Sequence, residues 1–259
     1  MKKNVVRKIV LALIIPAIII IAWYLATTYK DIPVGILPTL PMVGKAFVTM
    51  IQTGELQTDL LVSLGRVLKG FAVSAVLGII LGSLIGMFER VKEMFVPMIT
   101  VIRQIPIIAW IPLIIMWAGI EEPSKVIIIV IAAFFPIMVN TESGMEQTPE
   151  GLIEVARLYK LSPWQTFLKV YLPHALPQIL VGLKLGLGVS WMAVVASELI
   201  ASTTGIGYRL NYARGMMYAD QVIVCMIVIG LVGVVMDKLI GFLFTLFTPW
   251  TRLEQKTNK

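Results

Sequence analysis

Apolar residues along this chain come in long runs, and short polar stretches divide the runs. About 20 consecutive apolar residues let a helix cross the hydrocarbon core of a bilayer. The runs cover residues 9–29, 60–87, 94–118, 126–140, 178–201 and 221–247. They predict an all-α polytopic membrane protein with six transmembrane helices, in a single transmembrane domain over 1–259. Lys2, Lys3, Arg7 and Lys8 precede the first run, and Trp23, Tyr24 and Tyr29 sit at its far end. Basic residues stay on the cytoplasmic side and aromatic rings gather at the interface, so the N-terminus is expected inside. No small-x-small cleavage site follows cleanly, which favours a retained first helix over a signal peptide.

Residues 150–177, EGLIEVARLYKLSPWQTFLKVYLPHALP, are polar and lie between the fourth and fifth runs. In so hydrophobic a chain they belong outside the lipid, and the span count puts them on the inner side. Two short helices are expected there, over 152–159 and 163–171. Ser162 suits the N-cap, with Pro163 at the first helical position, where its missing N–H costs nothing. Gln165 completes a capping box. Phe167, Leu168 and Tyr171 share one face, and Pro173 and Pro177 are expected to end the second helix. The stretch reads as a device for gripping another protein.

Composition agrees. Of 259 residues, 58% are hydrophobic and 14% charged, and the mean hydropathy is +0.89, outside the range of a soluble domain. The net charge of +7 gathers at the ends of apolar runs, so it points to the positive-inside bias and not to nucleic acid. One cysteine, Cys225, excludes an internal disulfide. The tail 251–259 is polar and basic, hence expected inside; 30–59 and 203–220 are expected as outer loops, the first with a short helix near 43–52.

Within the spans, Gly78, Gly82 and Gly86 recur every four residues, which lets helix backbones approach closely, first of all inside one subunit. Pro97, Pro106 and Pro112 interrupt the third run; breaks of this kind occur where backbone faces protein or a watery path. Ionisable groups in spans face a cavity or pair with one another. Lys184 and Lys238 lie near enough to an interface to snorkel. Arg103 and Glu198 admit two readings, a lining of the path or a structural partner. With Pro106 and Ser190 they form the candidate path set.

The loop resembles the permease subunits of binding-protein-dependent ABC importers, whose pattern is E-A-A-x3-G-x9-I-x-L-P. Glu154-Val155-Ala156, Val170 and Leu172-Pro173 match it without insertion. Lys160 stands where that family usually has glycine. If the position needs φ > 0, a lysine there costs roughly 1 kcal/mol or more. Further stretches are similar to the nitrate, sulfonate, taurine and bicarbonate branch: Ser63-Leu64-Gly65-Arg66, Arg103-Gln104-Ile105-Pro106, Trp117-Ala118-Gly119-Ile120-Glu121-Glu122, Gly182-Leu183-Lys184, Ala196-Ser197-Glu198 and Gly205-Ile206-Gly207-Tyr208. The likeness covers about 55–250. It implies a type I importer permease of the bacterial inner membrane, with short cytoplasmic coupling helices between spans four and five. It also implies a homodimer, two separate ATPase subunits and an extracytoplasmic binding protein. The ATPase-docking residues would be Glu154, Ala156, Arg157, Lys160, Leu161, Ser162, Trp164 and Phe167, and the cargo a small anion or organosulfonate.

The sequence has no G-x-x-x-x-G-K-[ST] and no Cys/His cluster, so no nucleotide, cofactor or metal site is expected in it. His174, the one histidine, has no nucleophile or acid beside it in sequence. Two alternatives stand: an importer permease for a neutral heterocycle, and a secondary transporter, which would show repeat symmetry and more carboxylates in its spans.

Overall fold

The computed structural model describes residues 2–247, and every regular element among them is helical. The helices are α1 (Lys2–Tyr29), α2 (Leu40–Gln52), α3 (Glu55–Met87), α4 (Glu89–Ile102), α5 (Ile107–Ala118), α6 (Glu122–Glu146), α7 (Glu150–Leu158), α8 (Pro163–Thr166), α9 (Leu172–Ile200), α10 (Ile206–Gly215) and α11 (Ala219–Phe247). The tail 251–259, expected inside, lies outside the described residues.

The centre is a plate of three helices, with α6 packed between α3 and α9. Small residues bring α3 and α6 together. Gly70 faces Ile129, Gly78 faces Ile137, Gly82 faces Met138 and Thr141, and Gly86 faces Met145. The four-residue glycine spacing is thus an internal seam. Numbers rise together along both helices, so α3 and α6 run parallel. The opposite order holds on α9, where Gly182 meets Asn140 and Gly186 meets Ala133, so α9 is antiparallel to α6.

Parallel α3 and α6 require one return crossing between them. The pair α4 and α5 supplies it, bent by 95° at 103–106. The break falls at Pro106, the N-cap of α5; Pro97 and Pro112, expected as further interruptions, lie inside α4 and α5. Alone among the three, Pro106 coincides with a residue in extended backbone, φ −56 and ψ 136. Helices α3, α6, α9 with α8, and α11 are each long and apolar enough to cross singly, which with the broken pair gives up to five spans. The expected sixth, α1, carries an apolar helical stretch Leu13–Tyr29.

Two expectations are corrected. Pro173 and Pro177 do not end the helix begun at Pro163; it runs unbroken to Ile200. A π-turn at Phe167–Tyr171 precedes Pro173, with Leu172 N–H donating to Phe167 O, so the register shifts where the proline withholds its N–H. The loop expected over 203–220 holds α10, and α3 begins at Glu55, inside the loop expected over 30–59.

Candidate functional site

The loop after α6 is fixed by two caps. At the end of α7, Lys160 N–H donates to Arg157 O at 2.9 Å and Leu161 N–H to Ala156 O at 3.0 Å. These are the paired bonds of a Schellman ending, with Lys160 in the left-handed position at φ 55. The position that glycine would fill therefore does need positive φ, and lysine occupies it. Two residues on, Ser162 Oγ accepts from Gln165 N–H at 3.2 Å, while Gln165 Oε1 accepts from Ser162 N–H at 3.0 Å, the expected capping box.

These caps aim side chains two ways. Ala156 is buried, and Leu161 and Phe167 are half-buried. Phe167 stacks on Trp164 with ring centroids 5.4 Å apart and packs toward Met145, Ala175 and Ile179. Glu154, Arg157, Lys160, Ser162 and Trp164 are exposed. So are Leu152, Val155, Leu158 and Tyr159, the last two about 80% exposed. This exposed apolar face of α7 is a feature that residue-by-residue reading missed. Its signal was present: Leu152, Val155 and Tyr159 fall at i, i+3 and i+7.

The four candidate path residues are not gathered in one place. Arg103 caps the C-terminus of α4 and is exposed, three residues before Pro106. It lines a groove of about 270 Å³ with Thr100, Glu142, Ser143 and Glu146. Ser190 is buried and donates to Gly186 O within its own helix at 2.8 Å. Glu198 is buried in a polar network at the opposite end of the molecule from the loop.

That network was only partly foreseen. Glu198 accepts from Ser63 Oγ at 2.8 Å, from Arg66 Nη1 at 2.7 Å and from Gly207 N–H at 3.0 Å. Arg66 also donates to Glu122 at 2.7 Å and to Thr204 O at 2.8 Å. Asp59 accepts from Gly205 N–H at 2.8 Å and Arg209 Nε at 2.7 Å. The network closes loop 201–205 onto α3, α6 and α9. Gly205 has φ 108, and a Cβ there would strike the Glu198 carboxyl, so the close approach requires glycine. On α10, burial opposes the charge of Arg209, but its hydrogen bond to Asp59 and the charges of Asp59 and Glu55 hold its pKa above the ordinary value. The missed signal is a polar stripe on one face of α3, Asp59, Ser63 and Arg66 at i, i+4 and i+7. Lys184, read as snorkelling, pairs with Asp237 of α11 at 3.1 Å, both half-exposed.

Residues 74–253 match the family described as Binding-protein-dependent transport system inner membrane component. The chain is 34% identical over 239 residues to the Nitrate import permease protein NrtB of Synechocystis, covering 90% of this chain and 87% of that one. It is 36% identical over 236 residues to SsuC of Escherichia coli, which bears the name of an aliphatic sulfonates transport permease, covering 91% and 90%. The crystal structure of an amino acid ABC transporter with histidines superposes with a TM-score of 0.62 at 18% identity, over 76% of this chain and 96% of that one. An inward-facing MetNI methionine ABC transporter gives 0.53 at 18% identity, over 70% and 94%. What these two structures share with the chain is the fold, that of type I importer permeases. The match over residues 74–253, the two relatives and the all-helical membrane architecture place the chain in the family of binding-protein-dependent transport system inner membrane components, as a multi-pass permease subunit of an ABC importer.

Proposed function

We propose that this permease moves a small anion or organosulfonate, of the alkanesulfonate, taurine or nitrate type. A secreted binding protein delivers it, and ATP hydrolysis on two separate ATPase subunits drives it. Two copies of the chain form the pathway. The observation that carries the reading is the exposed apolar face of α7 with Trp164, held on the cytoplasmic loop by two caps. An amphipathic helix with Leu158 and Tyr159 bare to water fits the groove of a partner protein. The names of the relatives supply the cargo class. Closure of the ATPase pair on nucleotide moves the docked loop and biases the permease between outward and inward openings. Arg103, at the break of the α4–α5 crossing, offsets the anion's charge by a weak contact; Pro106 keeps the backbone there free of helical pairing.

The test is reconstitution in liposomes with the cognate ATPase and binding-protein subunits. ATP-dependent uptake of labelled taurine or nitrate is expected, and Leu158→Asp with Trp164→Asp should yield a folded permease that no longer retains the ATPase. Uptake by the permease alone, driven by an ion gradient, would overturn the reading in favour of a secondary transporter.

A further inference from the structure

Among the described residues two non-glycine positions have positive φ, Lys160 and Met217. They lie at opposite ends of the molecule and share one local geometry. At the end of α10, Met217 N–H donates to Arg214 O at 3.2 Å and Tyr218 N–H to Ala213 O at 2.9 Å. This repeats the ending of α7, with a long side chain again in the left-handed position that glycine fills without strain. Strained backbone of this kind persists only where the surrounding structure holds it, and it clusters at functional sites. At the inner end, Lys160 stands beside the apolar face assigned above to the ATPase. Met217 has a comparable setting.

Met217 and Ile36 are each 72% exposed and line one hollow of about 230 Å³, with Gly35, Ala213 and Arg214. Val34, Met216 and Tyr218 beside them are about half exposed. Ile36 belongs to the turn between α1 and α2 and Met217 to the turn between α10 and α11, so the hollow joins two outer turns. Lys30, Asp31 and Asp220 flank it in sequence. Charged residues avoid hydrocarbon, so the hollow stands above the lipid. A cluster of large apolar side chains in water marks a contact site for another protein. Methionines suit a partner that must dock in more than one shape, because the unbranched thioether repacks easily. Arg214 donates one bond to Asn211 at 2.7 Å and has no further partner among the described residues.

We propose that the Ile36–Met217 hollow receives the extracytoplasmic binding protein, through an apolar side chain with a carboxylate beside it that pairs with Arg214. The inference rests on the importer reading, and the family's description as binding-protein-dependent names the partner. Met217 does outside what the loop at Lys160 does inside: a helix end with a left-handed residue holds out a surface that a partner engages.

The test uses the permease–ATPase complex in nanodiscs with its cognate binding protein, read as ATPase rate against binding-protein concentration. Met217→Gly removes the side chain and relieves the backbone, so it does not endanger folding; Ile36→Asp places a charge in the hollow. Both should raise the half-maximal concentration about five-fold or more with the basal rate unchanged. A photoreactive benzoylphenylalanine in place of Ile36 should crosslink to the binding protein. An unchanged half-maximal concentration in both variants overturns the docking surface while leaving the importer reading intact. A parental complex that the binding protein does not stimulate overturns the importer reading and the surface with it. A crosslink to phospholipid alone assigns the hollow to the membrane and overturns the proposal.

Discussion

The guanidinium of Arg66 lies 2.7 Å from the carboxylate of Glu198, and neither side chain is more than 5% exposed. The two come from α3 and α9, and Ser63, Gly207 and Thr204 take up the bonds the pair leaves over. Such a pair is retained only when both charges are satisfied; removing one leaves the other buried and alone. Arg66→Ala should cost about 3–5 kcal/mol, and Glu198→Ala likewise. The double variant Arg66→Met with Glu198→Leu should recover much of the loss, because no buried charge is left alone; Glu122, which also loses Arg66, is half-exposed and solvated. The check is the midpoint of heat-induced loss of the monodisperse peak in detergent. If the single and double variants melt together, the pair does not organise the outer end.

The α3–α6 seam makes a prediction within one helix. A methyl at Gly82 would come 2.5 Å from Met138 O and 2.8 Å from Thr141 Cβ, whereas one at Gly65 meets nothing within 4 Å. Gly82→Ala should therefore destabilise by about 1–3 kcal/mol through overpacking. Gly65→Ala should be neutral or gain up to about 1 kcal/mol from helix propensity. The same melting assay separates them, and equal midpoints would dissolve the argument from close approach.

Lys160 sits at φ 55, so its replacements rank by backbone tolerance. Lys160→Gly should slow tryptic cutting after Arg157 and keep ATPase attachment, since glycine removes a cost of about 1 kcal/mol. Lys160→Val should speed the cut, because a branched Cβ resists the left-handed region. Equal cleavage rates in the three proteins would count against the strained turn.

Arg103 is exposed and lines a groove with Glu142 and Glu146, so a path role and a structural role differ in outcome. Arg103→Gln should assemble, keep basal ATPase activity and lose anion uptake. Arg103→Lys should retain part of it, holding the charge without the planar fork. Uptake measured in proteoliposomes decides; parental uptake by the Gln variant removes Arg103 from the path.

The apolar runs and the polar stretch between them were enough to read the helical class and the capped loop after α6, because both are local. Ser162 and Gln165 announce a capping box by identity and spacing alone, and it forms. Pro173 misled because a π-turn upstream, which no residue type signals, absorbs its missing donor. The parallel pairing of α3 and α6 was equally hidden: Gly78 and Gly82 say that something packs closely, not which helix or in which direction. Glu198 was legible as an intramembrane charge. Its partner set was not, since Ser63 and Arg66 lie more than 130 residues away in sequence.

The close seam between α3 and α6 has a mechanical result. Where backbones touch through glycine, helices neither slide nor flex independently, and with α9 bound on the other side the three move as a single stiff plank. α3 alone is 33 residues, about 50 Å from end to end. A rotation of the plank by about 5° would swing its far end by about 4 Å at that length. The plank ends at the capped loop after α6 on one side and at the Arg66–Glu198 network on the other. A push on the loop end would thus arrive at the other end as a side-chain-sized displacement, with no wire of intermediate residues, and the 95° bend at Pro106 is the break in the crossing beside it.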